Sequence, residues 1–160
     1  MKTLLLVIGL SLASGQLPPE KPSPTYPSPQ QSLTSKREVL KSVIAITTRP
    51  AADLATVPAA QEIEHDSEVA RSEAVTVVVM VQGCQPDAQG ACRASADVVA
   101  YKPDGSVHSE MKDINIGSGR GTTTLKLAPT DETGVYKVVA TVRDLNARRF
   151  GKTERLFGVK

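Results

Sequence analysis

The stretch Glu73-Ala74-Val75-Thr76-Val77-Val78-Val79-Met80-Val81-Gln82-Gly83 decides the fold. In an extended chain, successive side chains point to opposite faces. Val75, Val77, Val79 and Val81 then share one face, and Thr76, Val78, Met80 and Gln82 share the other. The first face is wholly apolar and the second half so. That is the pattern of a central strand in a two-layer β-sandwich.

The same alternation extends downstream. Ala94, Ala96, Val98 and Ala100 oppose Ser95, Asp97, Val99 and Tyr101, so Ala94 to Tyr101 reads as the hairpin partner of the valine strand. Lys102-Pro103-Asp104-Gly105 is a turn, with proline presetting φ and glycine free to take φ > 0. A short strand follows over Val107 to Met111, and Gly117-Ser118-Gly119-Arg120-Gly121 reads as a flexible loop. Further strands are expected over Thr122 to Leu127, ended by Pro129, and over Val135 to Arg143. Asn146-Ala147-Arg148-Arg149 turns the chain, and Lys152 to Val159 closes the domain.

Upstream, Ser35-Lys36-Arg37-Glu38 has capping-box spacing, and Lys41 to Thr48 is the first strand. Pro50 to Ala55 is suited to one helical turn with proline at its first position. Gln61 to Ala70, carrying Glu62, Glu64, Asp66 and Glu68, reads as solvent-facing or as an edge strand. About seven short strands with hardly any helical periodicity predict an all-β, antiparallel sandwich over residues 37–160.

The first residues have a different character. Lys2, the apolar run from Leu4 to Leu12 and the small residues Ala13-Ser14-Gly15 have the layout of a secretory signal peptide over residues 1–15. Cleavage is expected before Gln16, with a second possible site before Ser14. The run is far shorter than the roughly 20 residues that span a bilayer, so no membrane span is expected. With no cysteine near the cleavage point, a lipid anchor is disfavoured. Residues 16–36 contain Pro18, Pro19, Pro22, Pro24, Pro27 and Pro29 among Ser, Thr and Gln. Proline lacks the backbone donor and fixes φ, which makes this stretch an extended, semi-rigid tether. Pro24-Thr25-Tyr26-Pro27 reads as spacer in preference to a docking peptide. The localisation expected is export, to a periplasm or the medium.

Cys84 and Cys92 flank a short loop, and export places them in an oxidising compartment. A redox pair uses tighter spacing and a metal site more ligands. The pair therefore reads as a disulfide staple, stabilising by about 2–3 kcal/mol in the chain-entropy model. A loop so stiffened is pre-organised for binding, which nominates Gln85 and Asp87 as partner contacts.

Nineteen Lys and Arg against seventeen Asp and Glu leave a net charge of +2, too little to provide a global field for nucleic acid. Glu62, Glu64, His65 and Asp66 are neighbours on an extended chain, so they diverge and no metal is expected there. Asp104, Asp113 and Asn115 are of the type that binds calcium, but Asp104 is already explained by its turn. His108 with Ser106 or Ser109 lacks the Gly-x-Ser-x-Gly elbow of a hydrolase nucleophile. The glycine-rich loop lacks the Gly-Lys-Ser/Thr ending of a phosphate loop. With Tyr101, Tyr136, Phe150 and Phe157 the sole rings beyond the tether, stacking platforms for sugars or single strands are disfavoured.

One charge asymmetry is left. Arg143, Arg148, Arg149, Lys152, Arg155 and Lys160 crowd the last hairpin. They either guard an edge strand or dock an acidic partner.

Asp131-Glu132-Thr133-Gly134-Val135-Tyr136-Lys137-Val138 resembles the tyrosine-corner stretch of immunoglobulin-like domains. The resemblance spans Ile46 to Lys160 and is to the broad immunoglobulin-like and fibronectin-like modules of exported bacterial or extracellular proteins. Val138 stands where antibody-type domains carry their second core cysteine, and the chain has no tryptophan. The resemblance implies that Gly134 permits the sharp entry to a strand and that Tyr136 returns its hydroxyl to the backbone upstream.

The function expected is a non-catalytic, exported interaction module without cofactor, binding another protein or an anionic envelope polymer. The alternative is a small exported hydrolase using His108.

Overall fold

The computed structural model describes residues 39–58 and 61–160. The signal peptide, the tether and the capping box at Ser35–Glu38 lie outside the described residues. Those described form eight strands and one helical turn: β1 (Lys41–Thr47), α1 (Ala51–Leu54), β2 (Glu68–Val69), β3 (Ala74–Gln82), β4 (Ala94–Tyr101), β5 (Val107–Asn115), β6 (Arg120–Lys126), β7 (Gly134–Asp144) and β8 (Arg149–Val159).

Two sheets result, a three-stranded one ordered β1-β3-β6 and a five-stranded one ordered β2-β8-β7-β4-β5. Their inner faces meet in one core. Val75, Val77 and Val79 of β3 are 0% exposed, and they pack with Ala96 and Val98 of β4, Val138 and Ala140 of β7, and Phe157 of β8. A buried valine side chain contributes about 2 kcal/mol relative to an exposed one, so the alternation read from the sequence is also the energetic spine. In the lettering of immunoglobulin-like domains, β1, β3 and β6 are strands A, B and E. Strands β8, β7, β4 and β5 are G, F, C and C′. The fold is an immunoglobulin-like sandwich.

Several expectations need correction. β3 and β4 are not a hairpin: β3 pairs with β1 and β6, and β4 with β5 and β7. Alternation shows which face meets the core, and strands of opposite sheets meet the same core. The Cys84–Cys92 disulfide therefore closes the loop that carries the chain between sheets, with its sulfurs 2.01 Å apart. β5 runs on to Asn115 because two register shifts against β4 interrupt its alternation. β6 begins at Arg120, inside the expected glycine-rich loop. The sheets are antiparallel except at β2, the edge strand within the acidic segment, which runs parallel to β8. Pro50 precedes the helical turn and does not occupy its first position.

Candidate functional site

The disulfide loop and the last hairpin meet at one end of the sandwich, around Asp144. That carboxylate is 1% exposed. It accepts hydrogen bonds from the backbone N–H groups of Gln85 (2.9 Å), Asn146 (3.1 Å) and Ala147 (3.0 Å), and from the Arg149 guanidinium (2.7 Å). Burial alone would raise the carboxyl's pKa. The Gln85 N–H, Arg149 and the other donors outweigh that and hold it below the usual carboxylate range. Arg149 also donates to the Gly83 carbonyl at 2.6 Å, and Asn146 donates to the Gln85 carbonyl at 2.8 Å. Asp87 folds its own loop, accepting from the N–H groups of Gln89 (3.0 Å) and Ala91 (2.8 Å). The Gln85 backbone and the Asp87 and Arg149 side chains thus brace this end, while Gln85 itself stays exposed.

The remaining cations of the hairpin do not form one patch. Arg143 is ion-paired with Asp97, and with Asp113 at 3.2 Å. Arg148 is exposed at the turn in the left-handed region, φ 52°. Lys152 and Arg155 are exposed on opposite faces of β8, Lys152 level with Thr141 and Arg155 level with the inward Val138. Near Arg155 lies His65, whose Nδ1 accepts from the Ile46 N–H at 3.3 Å. Partial burial, then the Arg155 charge, lower the His65 pKa. Asp66 accepts from the Thr48 N–H at 2.6 Å, so these two acidic-run residues tie their segment to β1. No group of three or more His, Cys, Asp or Glu converges among the described residues.

At the other end stands the tyrosine corner. Tyr136 is fully buried and donates to the Glu132 carbonyl at 3.1 Å. Burial, then the Asp131 charge, raise its phenol pKa and keep the donor proton in place. Gly134 sits at φ 137°, where a Cβ would meet Pro103 at 2.9 Å, so the corner and the Pro103 turn close on each other. His108 packs edge-on against Tyr136, with ring centroids 5.8 Å apart, and its Nε2 is 3.0 Å from Asp131 Oδ2. That bond, then the Ala128 N–H, lower the Asp131 pKa. A general base needs a nucleophile within hydrogen-bond reach. His108 Nδ1 and Ser109 Oγ are both buried without a hydrogen-bond partner, and Ser106 Oγ donates to Asp104 at 2.7 Å. The His108–Asp131 couple fastens β5 to the turn before β7.

The outer faces of the two sheets differ most. Val78 and Ala45, facing outward from the three-stranded sheet, are buried beneath Leu54 and Ile63 from the segment between β1 and β2. Arg120 holds that cover, donating to the carbonyls of Leu54 (3.3 Å), Val57 (2.9 Å), Pro58 (2.8 Å) and Gln61 (3.0 Å). The five-stranded sheet has no such cover among the described residues. Val107 (58%), Val135 (58%), Phe150 (72%) and Leu156 (55%) stand exposed, and the register puts all of them on its outer face. Between them lie the half-buried Val99 and Tyr101, with the Lys137 ammonium 5.3 Å from the Tyr101 ring centre. Sequence reasoning does not find this face, because single apolar residues on β5, β7 and β8 converge only once the register is known. It also misses Arg120, which the glycines around it assign to a loop.

No protein-family model and no curated protein matches the chain. Among solved structures it is similar to a superoxide reductase (neelaredoxin) from Ignicoccus hospitalis, at 17% identity over 62% of this chain and 79% of that one, TM-score 0.41. It is also similar to an immunoglobulin-like protein from Pseudomonas aeruginosa (13% identity, 78% and 99% coverage, TM-score 0.41). A third is the CARDB domain of a Pyrococcus furiosus protein (14%, 75% and 93%, TM-score 0.38). Likenesses this faint carry no chemistry over to this chain.

Proposed function

We propose that this chain is a non-catalytic, exported interaction module that binds another protein through the outer face of its five-stranded sheet. One observation carries the reading: that face keeps Val107, Val135, Phe150 and Leu156 more than half exposed, while on the opposite outer face the chain itself covers Ala45 and Val78 and leaves Val43, at the edge strand, open. An apolar patch rimmed by charge marks a protein contact. The leader-like sequence and the Cys84–Cys92 bond support export. An anionic polymer is the weaker partner, since Arg143 and Arg149 are tied to carboxylates and Lys152 and Arg155 diverge.

Site-specific photo-crosslinking in the native envelope tests this. A crosslinker at Val135 or Leu156 is expected to give protein adducts, and one at Ala52, on the covered side, to give none. Adducts arising equally from Ala52, or arising from Arg148 and Arg155 alone, overturn the assignment of the face. Hydrolysis of generic esters or peptides that is lost in His108→Ala would establish the enzyme instead.

A further inference from the structure

The charges on the outer face of the five-stranded sheet are ordered along its strands, and the order fits a second copy of itself. Following the pairing across the sheet, Glu154 of β8 is level with Val139, Val99 and finally Glu110 of β5. One step along, Lys152 is level with Thr141 and Asp97. On β5, Lys112 lies two residues beyond Glu110, its ammonium 3.4 Å from that carboxylate, so it stands near the Lys152 level. Both edges of the face therefore show a positive level beside a negative one. Phe150, level with Arg143, and Leu156, level with Lys137, lie one further step out on either side.

From this we infer that the face docks on the same face of a second copy of this chain, about a two-fold axis lying across the strands between the Lys152 and Glu154 levels. The inference rests on the protein-binding reading above and names its partner. Such an axis reverses the strand direction and keeps each strand opposite itself. Lys152 then meets Glu154 of the second copy, Lys112 meets Glu110, and Phe150 meets Leu156; the same axis sets Arg143 opposite Lys137, a like pair offset by the Asp97 and Asp113 carboxylates already on Arg143. A two-fold axis along the strands would instead lay Lys152 over Lys112 and Glu154 over Glu110, like charge on like charge. The contact is isologous, so each favourable pair occurs twice. Four strands about 4.8 Å apart and four levels about 6.8 Å apart give a patch of roughly 500 Å² per copy. That is the small end of specific interfaces, so the dimer is expected to be a weak, reversible one.

The test is sedimentation equilibrium of the purified exported protein and two variants, Lys152→Glu and Glu154→Lys. Both positions are exposed, and circular dichroism verifies folding. The natural protein is expected to dimerise, and each variant alone to lose about tenfold or more in association, because like charges then face each other twice. An equimolar mixture of the two variants is expected to regain dimers. The first variant carries carboxylates at both β8 levels and the second carries ammonium groups at both, so the altered charges of one meet their opposites on the other. A natural protein that stays monomeric at millimolar concentration, variants that associate unchanged, or a mixture that stays monomeric would each overturn the inference. Crosslinks from Val135 and Leu156 to a different protein, with the purified chain monomeric, would overturn the second copy as partner and leave the protein-binding reading intact. Absence of adducts as well would remove both.

Discussion

The outer surface of the three-stranded sheet and that of the five-stranded sheet start from the same ingredients and end differently. Both carry aliphatic side chains on the side away from the core. On the first, the segment between β1 and β2 folds over Val78 and Ala45, fixed by the grip of Arg120 on four carbonyls. On the second, Val135 and Leu156 meet water. A sandwich needs only its inner faces to fold. What happens to the outer ones separates architecture from interaction.

The largest expected effect that breaks or sharpens this contrast is at Leu54, which is 1% exposed. Leu54→Ala leaves a void over Val78 and is expected to cost about 3 kcal/mol in chemical denaturation. Next comes Arg120→Ala, expected to cost about 2 kcal/mol through lost charge-assisted bonds, with faster amide exchange at residues 51–57. An unchanged exchange pattern there would mean that the cover holds without its clamp.

A third prediction concerns acid. The folded pKa of Asp131 is lowered, first by its bond to His108. Its contribution is therefore fully present above the carboxylate's ordinary range and is lost as pH falls through the folded value, below about pH 4. His108→Ala should flatten that acid limb by about 1 kcal/mol. The increment should be the same in Leu54→Ala and Leu156→Ser backgrounds, because the corner serves neither outer face. The smallest effect is Leu156→Ser itself, expected to change stability by less than about 0.5 kcal/mol. A cost approaching that of Leu54→Ala would show that the open face is structural after all.

Much of this architecture is legible in the sequence where burial alternates strictly. The valines of β3 and the alanines of β4 announce their strands, and the Gly134–Tyr136 spacing announces the corner. Three things are hidden for definable reasons. Alternation is silent about which strand lies alongside, which is why β3 and β4 look like a hairpin. β5 is an edge strand with register shifts, so its burial never settles into a period of two. The burial of Asp144 has no local signal, because the backbone donors that make it tolerable come from distant Gln85 and from the turn itself. The open face needs β5, β7 and β8 in register before its members become neighbours. It is therefore out of reach of any local reading.

The short parallel pairing of β2 with β8 has a mechanical consequence. Glu68 and Val69 lie beside Gly158 and Val159, with the Lys160 N–H on the Val69 carbonyl at 3.0 Å and the Arg71 N–H on the Lys160 carbonyl at 3.2 Å. Neighbouring strands that run the same way, if drawn apart from Ser67 and Lys160, slide lengthwise and strain their cross-links together. An antiparallel pair pulled from one end peels open link by link. Traction applied along β8 against the acidic segment therefore meets a shear lock, and this seam should yield late under load despite spanning so few residues.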